Sequence, residues 1–178
     1  MTTRSTPGFE PATLLHPGQP MPGFALPETD GTIVRLKAFK QRRPVLLALL
    51  HSARCPDCRQ WLSTLAASRD DLAYLDVLPL LIFPDDLATL RALRSELALP
   101  GKLLSDPDHA TLSRFARITA PTPHLPVMLV AVDRYTTCLE TWLGGEPAQW
   151  PPLTEPLRTF AFAEQEDCAC GLPIWPEG

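Results

Sequence analysis

Three short apolar runs, VLLALL (45–50), VLPLLIF (77–83) and PVMLVAV (126–132), are separated by segments with helical periodicity. A run of this length without polar alternation suits a strand buried on both faces, which needs a layer of structure above and below it. Helices between such strands supply those layers. The pattern therefore predicts an α/β chain built on a mixed β-sheet with helices on both faces. Helices are predicted from about Pro56 to Ser68, where Trp61, Leu62, Leu65 and Ala66 recur at helical spacing, and over 85–97, where Leu87, Leu90, Leu93 and Leu97 share one side. A third covers 106–118, with Leu112, Phe115 and Ala116 facing inward, and a last one runs from about Leu153 to Glu166. Asp30-Gly31 followed by Ile33, Val34 and Leu36 predicts a short hairpin ahead of the first buried strand. TTCLETWL (136–143) reads as the hairpin partner of the strand at 126–133.

The 178 residues fit one domain with a sizeable core. We divide the chain into an irregular N-terminal extension (1–17), the domain proper (18–166) and a cysteine-containing tail (167–178). A net charge of −4 gives no electrostatic footprint for nucleic acid or an anionic membrane. No apolar run approaches the ~18 residues that span a bilayer. The first twenty residues lack the apolar stretch of a secretory signal, so a cytoplasmic setting is the default expectation. No glycine-rich phosphate loop follows a strand, and no organic cofactor is expected.

Five cysteines carry the chemistry: Cys55, Cys58, Cys138, Cys168 and Cys170. In HSARCPDCRQW (51–61), Cys55 follows the end of a buried strand and Pro56 opens a helix, because proline suits the first helical position. Cys55 is thereby an N-cap, where unpaired backbone N–H groups and the helix dipole favour a thiolate. Arg54 acts in the same direction and Asp57 against it. Cys58, one turn into the helix, is expected to be more buried and within disulfide reach, which makes Cys55 the attacking thiolate and Cys58 the resolving thiol. His51 is the nearest titratable neighbour and reads as a strand-end residue. Cys138 reads as core, and so does Trp61. Cys168 and Cys170 have several readings: a strained disulfide, a thiol relay to Cys55, half of a metal site, or part of a tail docked by Ile174 and Trp175. Four clustered cysteines (Cys55, Cys58, Cys168, Cys170) have the ligand count of a zinc site, which leaves a non-catalytic zinc-binding module as an alternative. The redox reading requires no metal, and none is assigned.

The strand–CPDC–helix arrangement resembles the active site of the thioredoxin superfamily. Gly18, Pro22, Phe24, Leu26, Asp30-Gly31, Val34 and Leu36 resemble the opening of its redoxin branch, which includes the alkyl hydroperoxide reductase/thiol-specific antioxidant proteins. LLSDPD (103–108) and PVMLVAVDR (126–134) extend the resemblance over roughly 18–145. It implies a thioredoxin-like fold and a thiol–disulfide oxidoreductase acting on a protein or small-molecule thiol or disulfide, as a monomer or homodimer. It also implies a cis Leu125–Pro126 bond whose backbone groups line the substrate groove, with Pro123 as the competing proline. A thiol peroxidase is the alternative enzyme, with Cys55 oxidised by a hydroperoxide to a sulfenic acid that condenses with Cys58. Ser52 fits the peroxide-positioning hydroxyl of the P-x-x-x-(T/S)-x-x-C motif, but Ala48 stands where that motif has proline. Arg114 and Arg117 are the candidates for its arginine. Arg54 replaces the tryptophan usual in thioredoxins, and the strand Val45–Leu50 lacks their buried carboxylate.

Overall fold

The computed structural model describes residues 9–11, 15–118 and 126–169. In chain order the elements are β1 (Phe9–Pro11), β2 (Ala25–Pro27), β3 (Ile33–Arg35), β4 (Val45–Leu49), α1 (Pro56–Ala67), α2 (Arg69–Tyr74) and β5 (Leu78–Phe83). They continue with α3 (Leu87–Glu96), β6 (Lys102–Ser105), α4 (Ala110–Phe115), β7 (Ala116–Ile118), β8 (Val127–Val132), β9 (Cys138–Gly144) and α5 (Thr154–Ala169). The central sheet has five strands in the order β6-β5-β4-β8-β9. β4, β5 and β6 run parallel, while β8 pairs antiparallel with β4 and β9 pairs antiparallel with β8.

The apolar runs sit as their composition requires. All five residues of β4 and all six of β8 are buried. Their side chains alternate between two cores. Leu46, Ala48 and Leu50, with Leu129 and Ala131, meet Leu62 and Leu65 of α1, Leu90 and Leu93 of α3, and Leu157 and Phe160 of α5. Val45, Leu47 and Leu49, with Met128 and Val130, meet Leu26 and Val34 of the β2–β3 hairpin and Phe115 of α4. Helices thus lie on both faces, three long ones on the first and α4 with the hairpin on the second. Trp61 is buried against Trp150 with ring centroids 4.9 Å apart, edge to face, which fixes the outer side of α1. Cys138 is fully buried, as its reading as core required.

Three boundaries differ from the sequence reading. The helix predicted over 106–118 shrinks to α4, because the Asp106 carboxylate caps the Ala110 and Thr111 N–H groups at 3.1 and 2.9 Å and so stays outside it. Residues 116–118 then turn extended and pair as β7 with β1. That pairing gives residues 9–11 a strand inside the predicted irregular extension, and Leu15 beyond it is fully buried. The last helix continues to Ala169, so Cys168 stands on α5.

Gly101 positions the entry to β6. Its φ is +84°, and an added Cβ would stand 2.1 Å from the Pro79 carbonyl oxygen of β5. Gly101→Ala is expected to cost about 2 kcal/mol or more, lowering Tm by roughly 4–8 °C. Gly31→Ala, at φ +89° with nothing within 4 Å, carries only the backbone term and should cost less. Equal losses in two thermal melts would contradict this account of the β5–β6 approach.

Candidate active site

The pairing of β4 with β5 continues for one residue beyond the strand, with the Leu50 N–H donating to the Ile82 carbonyl at 2.9 Å. The chain then leaves the sheet at His51. A tight turn closed by the Cys55 N–H on the Ser52 carbonyl (3.2 Å) delivers Cys55 to the N-cap of α1, with Pro56 in the first turn as predicted. The Cys55 carbonyl accepts the Arg59 N–H at 3.0 Å, while its side chain makes no capping bond. Its sulfur therefore sits at the positive end of α1 without being tied to it.

The two thiols differ in environment. Cys55 is half-buried and Cys58 fully buried, and both are free. Burial pushes the Cys58 thiol up to about 12, against the opposing effect of hydrogen bonds to the Ser52 and His51 backbone, and the neighbouring Cys55 adds to the rise. His51 Nδ1 stands 4.0 Å from Cys55 Sγ. A ring nitrogen of His51 and the two sulfurs all lie within 4.8 Å of one another.

The 51–54 loop is gripped from two sides. The Asp85 carboxylate accepts from Ser52 Oγ at 3.0 Å and from the Ala53 N–H at 2.8 Å, and the Asp85 carbonyl accepts from Ser105 Oγ at 2.7 Å. On the other side Arg59 donates to the Ala53 carbonyl at 3.2 Å and is ion-paired with Glu96 of α3. The helix expected over 85–97 takes in both Asp85 and Asp86. Only Asp86 serves that helix, as the N-cap accepting the Thr89 N–H at 2.8 Å. Asp85 escaped notice, although its place directly after β5 and beside the carboxyl end of β4 is where ligand-handling residues of parallel sheets gather.

The remaining predicted residues fall as follows. Ser52 donates its one O–H to Asp85 and accepts the Arg54 N–H at 3.2 Å. Arg54 and Asp57 are exposed, and the Arg54 charge helps the Thr89 hydrogen bonds hold the Asp86 carboxyl below its usual range. Pro126 is buried and lines a small pocket with Leu50, His51, Phe83, Pro84 and His109 at the carboxyl ends of β4 and β5. Leu125 and Pro123, and with them the predicted cis bond, lie outside the described residues. Arg114 donates to the Gly23 carbonyl at 3.0 Å and lines a groove that contains neither cysteine. Arg117 belongs to β7, with its side chain outside the described residues. The same holds for the side chain of Cys168 and for all of Cys170, Ile174 and Trp175, so the four-cysteine grouping falls outside them too.

Comparison with known proteins places this geometry among relatives. The profile of the AhpC/TSA family matches residues 17–134. A curated "Putative peroxiredoxin" of Mycobacterium tuberculosis is 32% identical over 101 residues, covering 57% of this chain and 64% of that protein, which is less than two thirds of its length. Among solved structures, the peroxidoxin BcpB of Mycobacterium tuberculosis superposes with a TM-score of 0.71 at 18% identity, covering 82% of this chain and 96% of the other. A structure described as a "putative Thiol:disulfide interchange protein DsbE" of Chlorobium tepidum gives 0.63 at 19%, covering 82% and 99%. Likenesses at this identity speak for the fold, and it is the thioredoxin-like one.

The contrast between the thiols has a direct chemical readout. In the reduced native protein, iodoacetamide is expected to label Cys55 roughly tenfold or more faster than Cys58, with the difference vanishing in denaturant. Peptide mapping of a time course checks this, and equal native rates would contradict the assignment of environments.

Proposed function

The chain belongs to the AhpC/TSA family, and from that membership we propose that it is a thiol–disulfide oxidoreductase working through a Cys55/Cys58 dithiol–disulfide couple. The observation that carries this is the pairing of a half-buried, helix-capping Cys55 with a fully buried Cys58 inside a cluster 4.8 Å across. Cys55 gives up its proton to solvent or to the adjacent His51, whose 4.0 Å contact is of the loose kind expected before substrate binds. The thiolate attacks one sulfur of a substrate disulfide. A Cys55–substrate bond forms and the other substrate sulfur leaves as thiolate. Cys58 then loses its proton and attacks Cys55 Sγ, forming the intramolecular disulfide and releasing the second substrate thiolate. Two electrons pass from the protein to the substrate, and the reverse sequence oxidises a dithiol. Burial keeps Cys58 as a thiol until that second step, so Cys55 makes the first attack.

In this reading Pro126 and Leu125 shape the substrate groove, and the pocket walled by His51 and Pro126 supports it. Arg54 and Asp57 set opposing charges around the thiolate. Ser52 serves the loop through Asp85. The working unit is the domain at 18–166 together with the β1 strand and Leu15 that pack onto it, in a reducing cytoplasmic setting as a monomer or homodimer. Among the described residues no helix is long and apolar enough to cross a membrane. The substrate is a protein or small-molecule disulfide or thiol.

A peroxidase is the second reading, favoured by the name of the Mycobacterium tuberculosis relative. There the Cys55 thiolate attacks a hydroperoxide, giving an alcohol and a sulfenic acid, and Cys58 displaces water from it to form the disulfide. The Ser52 hydroxyl proton held by Asp85, Ala48 at the motif's proline position and Arg114 on a separate groove weigh against it.

Cys55→Ser is expected to abolish turnover in an insulin- or glutathione-coupled disulfide assay, at least about a hundredfold. Cys58→Ser should accumulate a mixed disulfide on Cys55, visible by intact mass. Wild-type turnover by Cys55→Ser would end the proposal, and reductant consumption that requires hydroperoxide would select the second reading.

A further inference from the structure

We propose that the reduced site is also a zinc site, in which Cys55, Cys58 and His51 together hold one Zn2+ and leave its fourth position open. Their ligand atoms already lie within 4.8 Å of one another. A tetrahedral ion with Zn–S near ~2.3 Å and Zn–N near ~2.0 Å needs them about 3.5–3.8 Å apart, within reach of small side-chain rotations. Two sulfurs and one imidazole form a soft ligand set that suits zinc and is foreign to magnesium or calcium.

All three ligands come from one eight-residue stretch, 51–58, whose loop is clamped by Asp85 and Arg59. The set is thus assembled by local structure and needs neither Cys168 nor Cys170. The Asp85 carboxylate is taken by Ser52 and Ala53, so it does not compete for the ion. On binding, each thiol gives its proton to solvent as a sulfur–zinc bond forms. One dication then replaces two protons, the charge of the site stays unchanged, and no net charge is buried around the fully buried Cys58. His51 and Cys55 are only half-buried, which leaves a solvent side for a water or a substrate thiolate at the fourth position.

Zinc and the disulfide use the same two sulfurs, so they exclude one another. A disulfide substrate that removes two electrons from the zinc-bound thiolates leaves the Cys55–Cys58 bond, two substrate thiolates and free Zn2+. Binding rests on the geometry alone, and only this antagonism rests on the redox reading above.

The test is a Zn2+ titration of the freshly reduced full-length protein against a chromophoric chelator, with circular dichroism confirming the fold of each variant. One equivalent per chain is expected. Binding should weaken at least about tenfold in His51→Ala and more in Cys58→Ser, and stay unchanged in the Cys168→Ser/Cys170→Ser double variant. It should vanish after oxidation to a mass-mapped Cys55–Cys58 disulfide. Cobalt substitution should show sulfur-to-metal charge transfer, reduced in Cys58→Ser. Absence of stoichiometric binding, indifference to His51→Ala, or loss in the double variant would overturn the proposal. None of these results would alter the outcome of the disulfide-turnover assay, so the two readings fail separately.

Discussion

Asp85 ties the carboxyl ends of three parallel strands together. Its carboxylate takes the Ser52 hydroxyl and the Ala53 N–H from the loop after β4, and its carbonyl takes the Ser105 hydroxyl at the end of β6. Hydrogen bonds to a charged acceptor contribute about 1.5–3 kcal/mol each, enough to hold a four-residue loop in one conformation. That loop decides where α1 begins, and the start of α1 decides where the Cys55 sulfur lies. The buried strands β4 and β5 supply a rigid floor, and the Trp61–Trp150 contact holds α1 against it. The chemistry thus stands on regular elements, with a single short loop to be fixed.

Two cysteines three residues apart would be chemically alike in an unfolded chain, and the fold separates them. One turn of helix carries Cys58 from the solvent edge into the core, where loss of hydration raises its pKa, while Cys55 stays at the helix terminus. Sequential attack in thiol–disulfide exchange needs such a difference, since the wrong thiol reacting first would leave the mixed disulfide on a buried sulfur. The same closeness that permits a disulfide also gathers a soft ligand set with His51. Under the two proposals above, electron transfer and metal capture are alternative uses of one pair of sulfurs, decided by oxidation state.

The features legible in the sequence were those set by local pattern. Strands β4, β5 and β8 announce themselves as apolar runs, and Pro56 marks the start of α1 because its ring suits a first-turn position. The buried Cys58 follows from helical periodicity. Features set by spatial neighbours were illegible. Asp85 falls inside the helix expected over 85–97, and its real partners, Ser52 and Ala53, are about thirty residues away in sequence and adjacent only because β4 pairs with β5. Likewise the end of α4 and the strand β7 depend on β1, more than a hundred residues earlier. Ser52 fits a motif position in the sequence, but a motif does not say where its hydroxyl proton goes.

The most direct measurement is a redox titration of the full-length protein in glutathione buffers of graded poise, quenched by alkylation and mapped by mass spectrometry. The account predicts one two-electron transition, with a single disulfide joining Cys55 to Cys58 and the other cysteines alkylated throughout. A disulfide that instead involves Cys168 or Cys170, or a Cys55–Cys58 pair that never oxidises reversibly, would contradict it.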